Sequence, residues 1–536
     1  MPRDSTSPSS RSRRRSWAGT PGRSGSRATT STRIQKVTGL PPSGSRPGFG
    51  TCSRRSSVRI EAIASVLLPA VLLAAGCGAG PEAERGIRNV VLVSLDAVGA
   101  RHVGAYGYAR DTTPNLDAVA RDGVVFEAAY TQQPWTLTSH LTMMTGLNPR
   151  VHGASKRRPA SPAAEPLAEQ LRERGFETAA FVSQPVLLHP RFGHARGFDR
   201  YELDKSDARK NVAPVLEWLA EQAAARAEDP EHRFFLFVHY YDAHSDGKAP
   251  LPYHVPPPYR DRFIPEGETW GREGPTSLLL QLRRTESATP RDREFLTAYY
   301  DAGVRYVDEE GLGPLVTALD ELGLADETLL IVTADHGEEI FEHGYVLHGQ
   351  PYDETARVPL VLRGPGLPAG LRIPHLAGLV DLAPTLLALL DFPVPVTAQG
   401  RDLTPLIREE GPVRRVVFVD GIYESGRTWG SSVVADIDGR RWSYVARVMP
   451  QDVPGGRKFT LEGPGELYDL AADPNEQHDL AAERPDLARR LGERLVAWFR
   501  TNEERAGHLR RGETVELVSP EEEAQLRALG YLEGAH

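Results

Sequence analysis

Continuous apolar runs alternate with stretches of helical spacing from residue 89 onward. The clearest runs cover residues 90–95, 178–183, 234–238 and 328–334. Strands that are buried on both faces have this uninterrupted pattern, which is typical of a parallel sheet covered by helices. The pattern predicts a doubly wound, mainly parallel α/β fold.

Two of these runs end on residues that bind metals in proteins. Asp96 follows the first run, and Asp335 with His336 follows the run 328–334. Open α/β sheets bind their ligands at the carboxyl ends of the strands, so these side chains are expected to converge there.

A third segment, residues 134–146, is predicted to be a loop that leads into a helix. Thr136 stands near the start of this helix, which ends at Gly146. A helix N-terminus offers unpaired N–H groups and a positive dipole end, so a hydroxyl there could attack or hold an anion. Taken alone, the segment fits an ordinary helix cap better.

The rest of this region follows the same alternation, with one exception. Residues 250–290 are rich in proline and are expected to form an irregular loop over the mouth of the site. Helices are predicted over residues 114–123, 166–174, 293–322 (interrupted near Gly311 and Gly313) and 379–390.

The pattern changes beyond Pro393. Short strand candidates at 416–419, 432–435 and 442–445 precede a helix at 485–500. We therefore predict a catalytic domain over residues 88–395 and a smaller C-terminal α+β domain with its tail over 396–536.

Composition agrees with a folded protein of two domains. The chain has 536 residues, of which 25% are charged and 40% hydrophobic. The formal net charge of −9 provides no basic field, so nucleic acid is not expected as a partner.

The N-terminal 87 residues differ from the rest of the chain. Residues 1–57 are rich in Arg, Ser and Gly, and they are predicted to be disordered or not translated. Residues 58–77 place an apolar run after basic residues and end on Ala-Gly-Cys, which resembles a bacterial lipobox. We expect a lipid on Cys77, a flexible tether over 78–87 and a membrane-anchored protein in the cell envelope, facing the periplasm or the exterior. An ordinary signal peptide cut nearby is the alternative.

Several ordered motifs resemble those of the sulfatases, within the alkaline phosphatase superfamily. They are Asp96 after the first strand, the segment that ends Met144-Thr145-Gly146, Asp335-His336-Gly337-Glu338, Arg357-Val358-Pro359-Leu360, and Glu466-Leu467-Tyr468-Asp469 with Asp473-Pro474-Asn475-Glu476. The resemblance implies a metal-dependent hydrolase of anionic esters, with the nucleophile at Thr136.

The chain departs from the sulfatases at the nucleophile. Sulfatases convert Cys or Ser, within a Cys/Ser-x-Pro-x-Arg motif, to formylglycine, but this chain has Thr136, Thr138 and His140 at the defining positions. Threonine cannot yield that aldehyde. Sulfatases also usually have paired acids after the first strand, and here Ala97 follows Asp96. The remaining set is similar to sites in phosphoryl-transfer enzymes that attack with Thr.

The resemblance implies Asp96, Thr136, Asp335 and His336 as metal ligands. Zinc or manganese suits this mixed ligand set better than calcium, and magnesium is a further option. Among the histidines, His244 and His348 match positions that contact the ester, and His140 either caps the helix or orients Thr136. We interpret His239 and His343 as structural, and Asp242 and Asp246 as solvated loop carboxylates rather than a second metal site.

These observations predict a metal-dependent hydrolase of sulfate or phosphate esters, and the missing formylglycine motif favours phosphate. Its substrate would be a sulfated or phosphorylated glycan, lipid or small molecule. The alternative is a non-catalytic lipoprotein that binds glycan or lipid through the same fold.

Overall fold

The computed structural model describes residues 86–509, apart from 246–248, 273, 412–414, 422, 425–426, 429 and 455, and in addition residue 524. The predicted signal segment, Cys77, most of the tether and Asp246 lie outside the described residues. No helix in the described ranges combines the length and hydropathy needed to cross a bilayer.

A central sheet of nine strands organises the first three quarters of the chain. Its strands are β1 (Asn89–Leu95), β2 (Val124–Tyr130), β3 (Glu177–Val182), β4 (Arg200–Leu203), β5 (Phe234–Tyr240), β6 (Thr328–Thr333), β9 (Arg357–Val358), β10 (Leu360–Arg363) and β11 (Leu371–Gly378). The small hairpin β7 (Glu339–Ile340) and β8 (Val346–Leu347) lies between β6 and β9 in the chain. The spatial order is β11-β2-β10-β6-β1-β5-β3-β4, with β9 paired to β2.

Most strand pairs of this sheet are parallel. β1 pairs in parallel with β5 on one side and β6 on the other, whereas β10 runs antiparallel to β2 and β6. Every residue of β1 and β5 is buried. Because successive strand residues point to opposite faces, both faces of the sheet are covered. The predicted doubly wound, mainly parallel fold is confirmed.

Helices fill the connections. They are α1 (Pro114–Arg121), α2 (Thr136–Thr145), α3 (Pro149–His152), α4 (Leu167–Arg172), α5 (Ala208–Glu228), α6 (Ser277–Arg284), α7 (Pro290–Val307), α8 (Gly313–Glu321), α9 (Asp353–Ala356), α10 (Leu382–Leu389) and α11 (Thr404–Ile407).

Two of these connections test the sequence predictions. A π-helical turn over Asp308–Leu312 separates α7 from α8, so the interruption predicted near Gly311 is confirmed. A Cβ on Gly311 would lie 2.9 Å from the Tyr240 ring, which explains the glycine. The prediction that 250–290 is irregular throughout was wrong, because α6 forms there and buries Leu279 and Leu282, which are one helical turn apart.

The C-terminal part is built on an antiparallel sheet. Its strands are β12 (Val416–Asp420), β15 (Ser431–Ile437), β16 (Arg440–Val453) and β17 (Gly456–Asp469), and the small hairpin β13 (Tyr423–Glu424) with β14 (Arg427–Thr428) precedes β15. Helix α12 (Pro485–His508) packs Leu491 and Leu495 into the same apolar cluster as Tyr444 of β16. The presence of a C-terminal α+β part is confirmed, and its boundary at 395/396 stays a prediction.

Candidate active site

The start of α2 brings Thr136 to the carboxyl ends of β1 and β6. Trp135, in extended conformation, precedes the helix, and Gly146 ends it in the left-handed conformation with φ 66°. The Thr136 hydroxyl donates to Asp96 Oδ2 at 3.5 Å and lies 3.3 Å from His336 Nε2. The hydroxyl therefore faces the predicted metal ligands.

The carboxylates of Asp96 and Asp335 meet in this place because their strands are neighbours. Asp335 Oδ1 accepts hydrogen bonds from the backbone N–H groups of Ala97 and His336, at 3.1 and 3.0 Å. Asp96 Oδ1 and Asp335 Oδ2 are both buried and have no hydrogen-bond partner. Two buried carboxylate oxygens without partners are strongly unfavourable unless a cation or a proton joins them.

The backbone at Ala97 is shaped for this contact. Ala97 adopts the left-handed conformation, with φ 60°, which costs a non-glycine residue about 1 kcal/mol. Its N–H faces Asp335, and its carbonyl accepts from the Tyr300 hydroxyl at 2.6 Å. Where the sulfatases usually have a second acid, this chain has a backbone group that orients the opposite carboxylate.

The pKa values of the two carboxylates are shifted in opposite directions. Burial, together with the charge of Asp335, raises the pKa of Asp96 well above its usual range. Burial also acts to raise the pKa of Asp335, but the imidazoles of His336, His140 and His239 outweigh it and leave that pKa lowered. Asp335 is thus the more firmly ionised of the two.

His336 presents a ring nitrogen to the same point. Its Nδ1 lies 2.9 Å from the Gly337 carbonyl, so the proton sits on Nδ1 and the Nε2 lone pair faces the carboxylates. Nε2 lies 3.3 Å from Asp335 Oδ2 and 3.9 Å from Asp96 Oδ1. Metal-bound histidines have this arrangement, in which the second ring nitrogen donates to a carbonyl. Asp96, Asp335 and His336 could hold a divalent ion.

His239 belongs to this site, and the prediction that it is only structural was wrong. As part of β5, it lies opposite Ser94 of β1, and its Nε2 is 3.0 Å from Asp96 Oδ2. Burial lowers the pKa of His239 to about 4, so the ring is neutral and donates its Nε2–H to Asp96. Its position near the end of a strand next to β1 was the signal that could have identified it.

His140 lies behind Thr136 and does not contact the Thr136 hydroxyl. Its Nδ1–H donates to the Thr136 carbonyl at 2.7 Å, and its Nε2 accepts from Ser94 Oγ at 2.9 Å. Burial lowers the pKa of His140 to about 4, which agrees with this neutral tautomer. Of the two predicted roles, the geometry matches orientation of Thr136.

His348 is held by Glu338, which is in turn held by Tyr253, and the sequence did not predict either residue for the site. Its Nδ1–H donates to Glu338 Oε2 at 3.0 Å, and the Tyr253 hydroxyl donates to Glu338 Oε1 at 2.7 Å. The His348 ring stacks on His336 with centroids 3.9 Å apart. Burial raises the pKa of Glu338 well above its usual range, and burial with His336 and His244 lowers that of His348.

The loop after β5 contributes His244 to the site, whereas its carboxylate Asp242 has another role. The His244 ring lies edge-on to His348, with centroids 5.0 Å apart, and 6.5 Å from His336. Asp242 is half-buried: its Oδ2 is shielded from solvent and its Oδ1 accepts from the Ala208 N–H at 3.2 Å, so the prediction of a solvated carboxylate was wrong for this residue. It fixes the start of α5 instead.

Comparisons with known proteins identify the family of this chain. A family model described as Sulfatase matches residues 88–392. Arylsulfatase K of Rattus norvegicus is 24% identical over 444 residues, which cover 76% of this chain and 77% of that protein. Delta 4,5-hexuronate-2-O-sulfatase of Bacteroides thetaiotaomicron is 26% identical over 445 residues, which cover 76% of this chain and 87% of that protein.

A solved structure shows the same fold. The crystal structure of a phosphonate monoester hydrolase from Agrobacterium radiobacter superimposes with a TM-score of 0.60 at 22% sequence identity. The match covers 77% of this chain and 96% of that one. Since the family model spans more than half of the chain and the predicted resemblance is thereby confirmed, the chain belongs to the sulfatase family of the alkaline phosphatase superfamily and is an ester-hydrolysing enzyme.

Proposed function

We propose that this enzyme is a metal-dependent hydrolase of phosphate esters in which Thr136 is the nucleophile. One observation supports it most: the buried Thr136 hydroxyl lies at a helix N-terminus, 3.3 Å from His336 Nε2, beside two carboxylate oxygens that lack partners. A threonine that only capped its helix would direct its oxygen to backbone N–H groups instead.

The ion would be held by Asp96, Asp335 and His336, with the Thr136 oxygen within reach. The family is metal-dependent, and this donor set of carboxylates and imidazole favours zinc or manganese. When bound, such an ion lowers the pKa of a hydroxyl and neutralises a non-bridging oxygen of the ester.

The residues around Thr136 prepare it for attack. Because the hydroxyl hydrogen points to Asp96 Oδ2, the lone pairs of the oxygen stay available for the phosphorus atom. Attack forms the Thr136 oxygen–phosphorus bond, breaks the bond to the leaving oxygen and passes the hydroxyl proton to Asp96 Oδ2. A protonated His244, whose Nδ1 faces the Ser245 carbonyl, gives its Nε2 proton to the leaving oxygen. His239 and His140 keep Asp96 and the Thr136 backbone in place.

His348 suits the second half of the reaction. With its proton on Nδ1, its Nε2 is an acceptor, so it can take a proton from the water that cleaves the Thr136 ester. The imidazolium that forms is then paired with Glu338. The cleavage releases phosphate, Asp96 returns its proton to the Thr136 oxygen, and His348 and His244 exchange protons with solvent.

Phosphate is favoured over sulfate by the side chain at the nucleophile position. The two relatives named above are sulfatases, whose family chemistry uses an aldehyde that Thr136 cannot form. A hydroxyl nucleophile beside a metal ion is instead sufficient for phosphoryl transfer.

A substrate panel tests this proposal. The purified protein, with zinc, manganese or calcium added, is assayed on nitrophenyl esters of phosphate (mono- and diester), phosphonate and sulfate. We expect phosphorus esters to be cleaved fastest, with an unmodified Thr136 by peptide mass. Faster cleavage of sulfate esters, or a modified residue at this position, would contradict the proposal.

We further propose that the enzyme is anchored to the membrane of the cell envelope through a lipid on Cys77. The support is the sequence alone, in which basic residues, an apolar run and Ala-Gly-Cys follow one another.

A further inference from the structure

A second buried group of ligand-type side chains lies where the β7–β8 hairpin meets α9. It consists of Glu339 in β7, His343 in the turn of the hairpin and Glu354 in α9. A carboxylate oxygen of each glutamate and a ring nitrogen of His343 all lie within 4.8 Å of one another. Atoms bound to one ion at about 2.0–2.4 Å can be at most about 4.8 Å apart, so this spacing fits a shared ion.

Two oxygens in this group have no partner. Glu339 Oε1 accepts from the N–H groups of His343 and Tyr345, each at 2.9 Å, but Glu339 Oε2 is buried without a hydrogen bond. Glu354 Oε2 is buried without one too. Two carboxyls that shared a proton would be joined by a short hydrogen bond, and neither of these oxygens makes one.

Several further carboxyl groups crowd this place. Glu476 is buried and Glu342 half-buried beside the group, and Arg101 binds Asp353 at 3.0 Å but approaches Glu354 only to 4.0 Å. Burial, with the charges of Glu354 and Glu342, raises the pKa of Glu339 to about 8. A cation in this place would relieve that repulsion.

His343 is already oriented as a ligand. Its Nε2–H donates to the Glu476 carbonyl at 3.0 Å, and its Nδ1 is turned to Glu354 Oε1 at 2.7 Å. The ring is fixed further by stacking on Tyr352, with centroids 3.8 Å apart. A histidine that binds a metal through one nitrogen commonly donates the other N–H to a carbonyl, as here.

We propose that Glu339, His343 and Glu354 form a second divalent-metal site, separate from the catalytic one and structural in purpose. Carboxylates with an imidazole suit zinc or manganese. The ion would take the place of the proton between His343 Nδ1 and Glu354 and release it to solvent. It would tie the hairpin to α9 and, through His343 and Glu476, to the segment after β17.

Metal content of the full chain tests this proposal independently of catalysis. The double variant Asp96→Ala, Asp335→Ala lacks the catalytic carboxylates, so any ion that it retains must be held elsewhere. After dialysis against zinc and then buffer, we expect about two ions per wild-type chain and about one per double-variant chain by elemental analysis. If the second site binds an ion but the catalytic site does not, both proteins should retain about one ion per chain.

Adding Glu339→Gln to the double variant should remove the last ion, whereas Glu462→Gln, an exposed acid of β17, should leave it. Should the triple variant fail to fold, zinc titration of the double variant decides: a one-to-one endpoint with a rise in Tm supports the site. A double variant without retained or titratable zinc, or an ion that persists with Glu339→Gln, would overturn the proposal.

Discussion

Replacing Thr136 by Val removes one hydroxyl and keeps the size and branching of the side chain. In the structure this hydroxyl makes two contacts, at 3.3 and 3.5 Å, which are long for hydrogen bonds. Losing them should cost about 1 kcal/mol of the free energy of unfolding. If Thr136 is the nucleophile, turnover should fall at least about 1000-fold, which corresponds to about 4 kcal/mol in the activation free energy.

Thr142→Val is the matched control for this change. Thr142 lies in the same helix, is also buried, and hydrogen-bonds His152 Nε2 at 3.2 Å, away from the carboxylates. It should lose a similar amount of stability, about 1 kcal/mol, and keep its activity. Thr136→Ser keeps the hydroxyl, loses a buried methyl group worth about 0.8 kcal/mol and should retain part of the activity.

The assay combines kcat/KM on the best ester of the panel, metal content and urea unfolding for all of these proteins. A Thr136→Val protein that is folded, loaded with metal and nearly as active as the wild type would refute the reasoning. In that case a water molecule or another side chain would be the nucleophile.

Four further predictions follow from the site, the core and the N-terminus. Asp335→Ala should lower bound metal and activity together, and an unchanged catalytic metal content would contradict the ligand assignment. Glu338→Gln should lower kcat more than it raises KM, because glutamine keeps only one acceptor oxygen and cannot accept from both His348 and Tyr253. Tyr253→Phe should have a smaller effect in the same steady-state assay. Burial lowers the pKa of His152 to about 3 from 6.5, so the unfolded chain binds its proton first and stability is lost as pH falls below about 6.5. His152→Gln should reduce that acid slope by up to about 1.4 kcal/mol per pH unit in urea unfolding. Cys77→Ala should move the protein from the membrane to the soluble fraction after signal removal, and persistent membrane binding would refute the lipid anchor.

The sequence predicted the site best where metal-binding side chains directly follow apolar strand runs. Asp96 and Asp335 stand directly after apolar runs, so their meeting at one sheet edge could be predicted without coordinates. His239 was missed because it directly continues the apolar run 234–238. A histidine at the end of an apolar strand is usually interpreted as a core residue. Glu338 could not be paired with Tyr253, since that contact joins segments 85 residues apart through a proline-rich loop.

Burial of polar groups was the least predictable property. Asp242 follows a strand in a segment with loop composition, which suggests exposure to solvent. In the structure it is instead half-buried against the start of α5, where it accepts a hydrogen bond from the Ala208 N–H. Nothing in the local sequence around Asp242 indicates that a distant helix begins there.

The position of β1 between β5 and β6 has a consequence for how the enzyme is made. Asn89 of β1 contacts residues 145 and 239 positions later in the chain, so these pairings have high contact order and are expected to form slowly. Pairing of β1 with β6 also brings Asp335 close to Asp96. The two carboxylates repel each other until a cation is present. We therefore expect a chelator to slow refolding as well as turnover, so that the supply of metal during folding sets the yield of active enzyme.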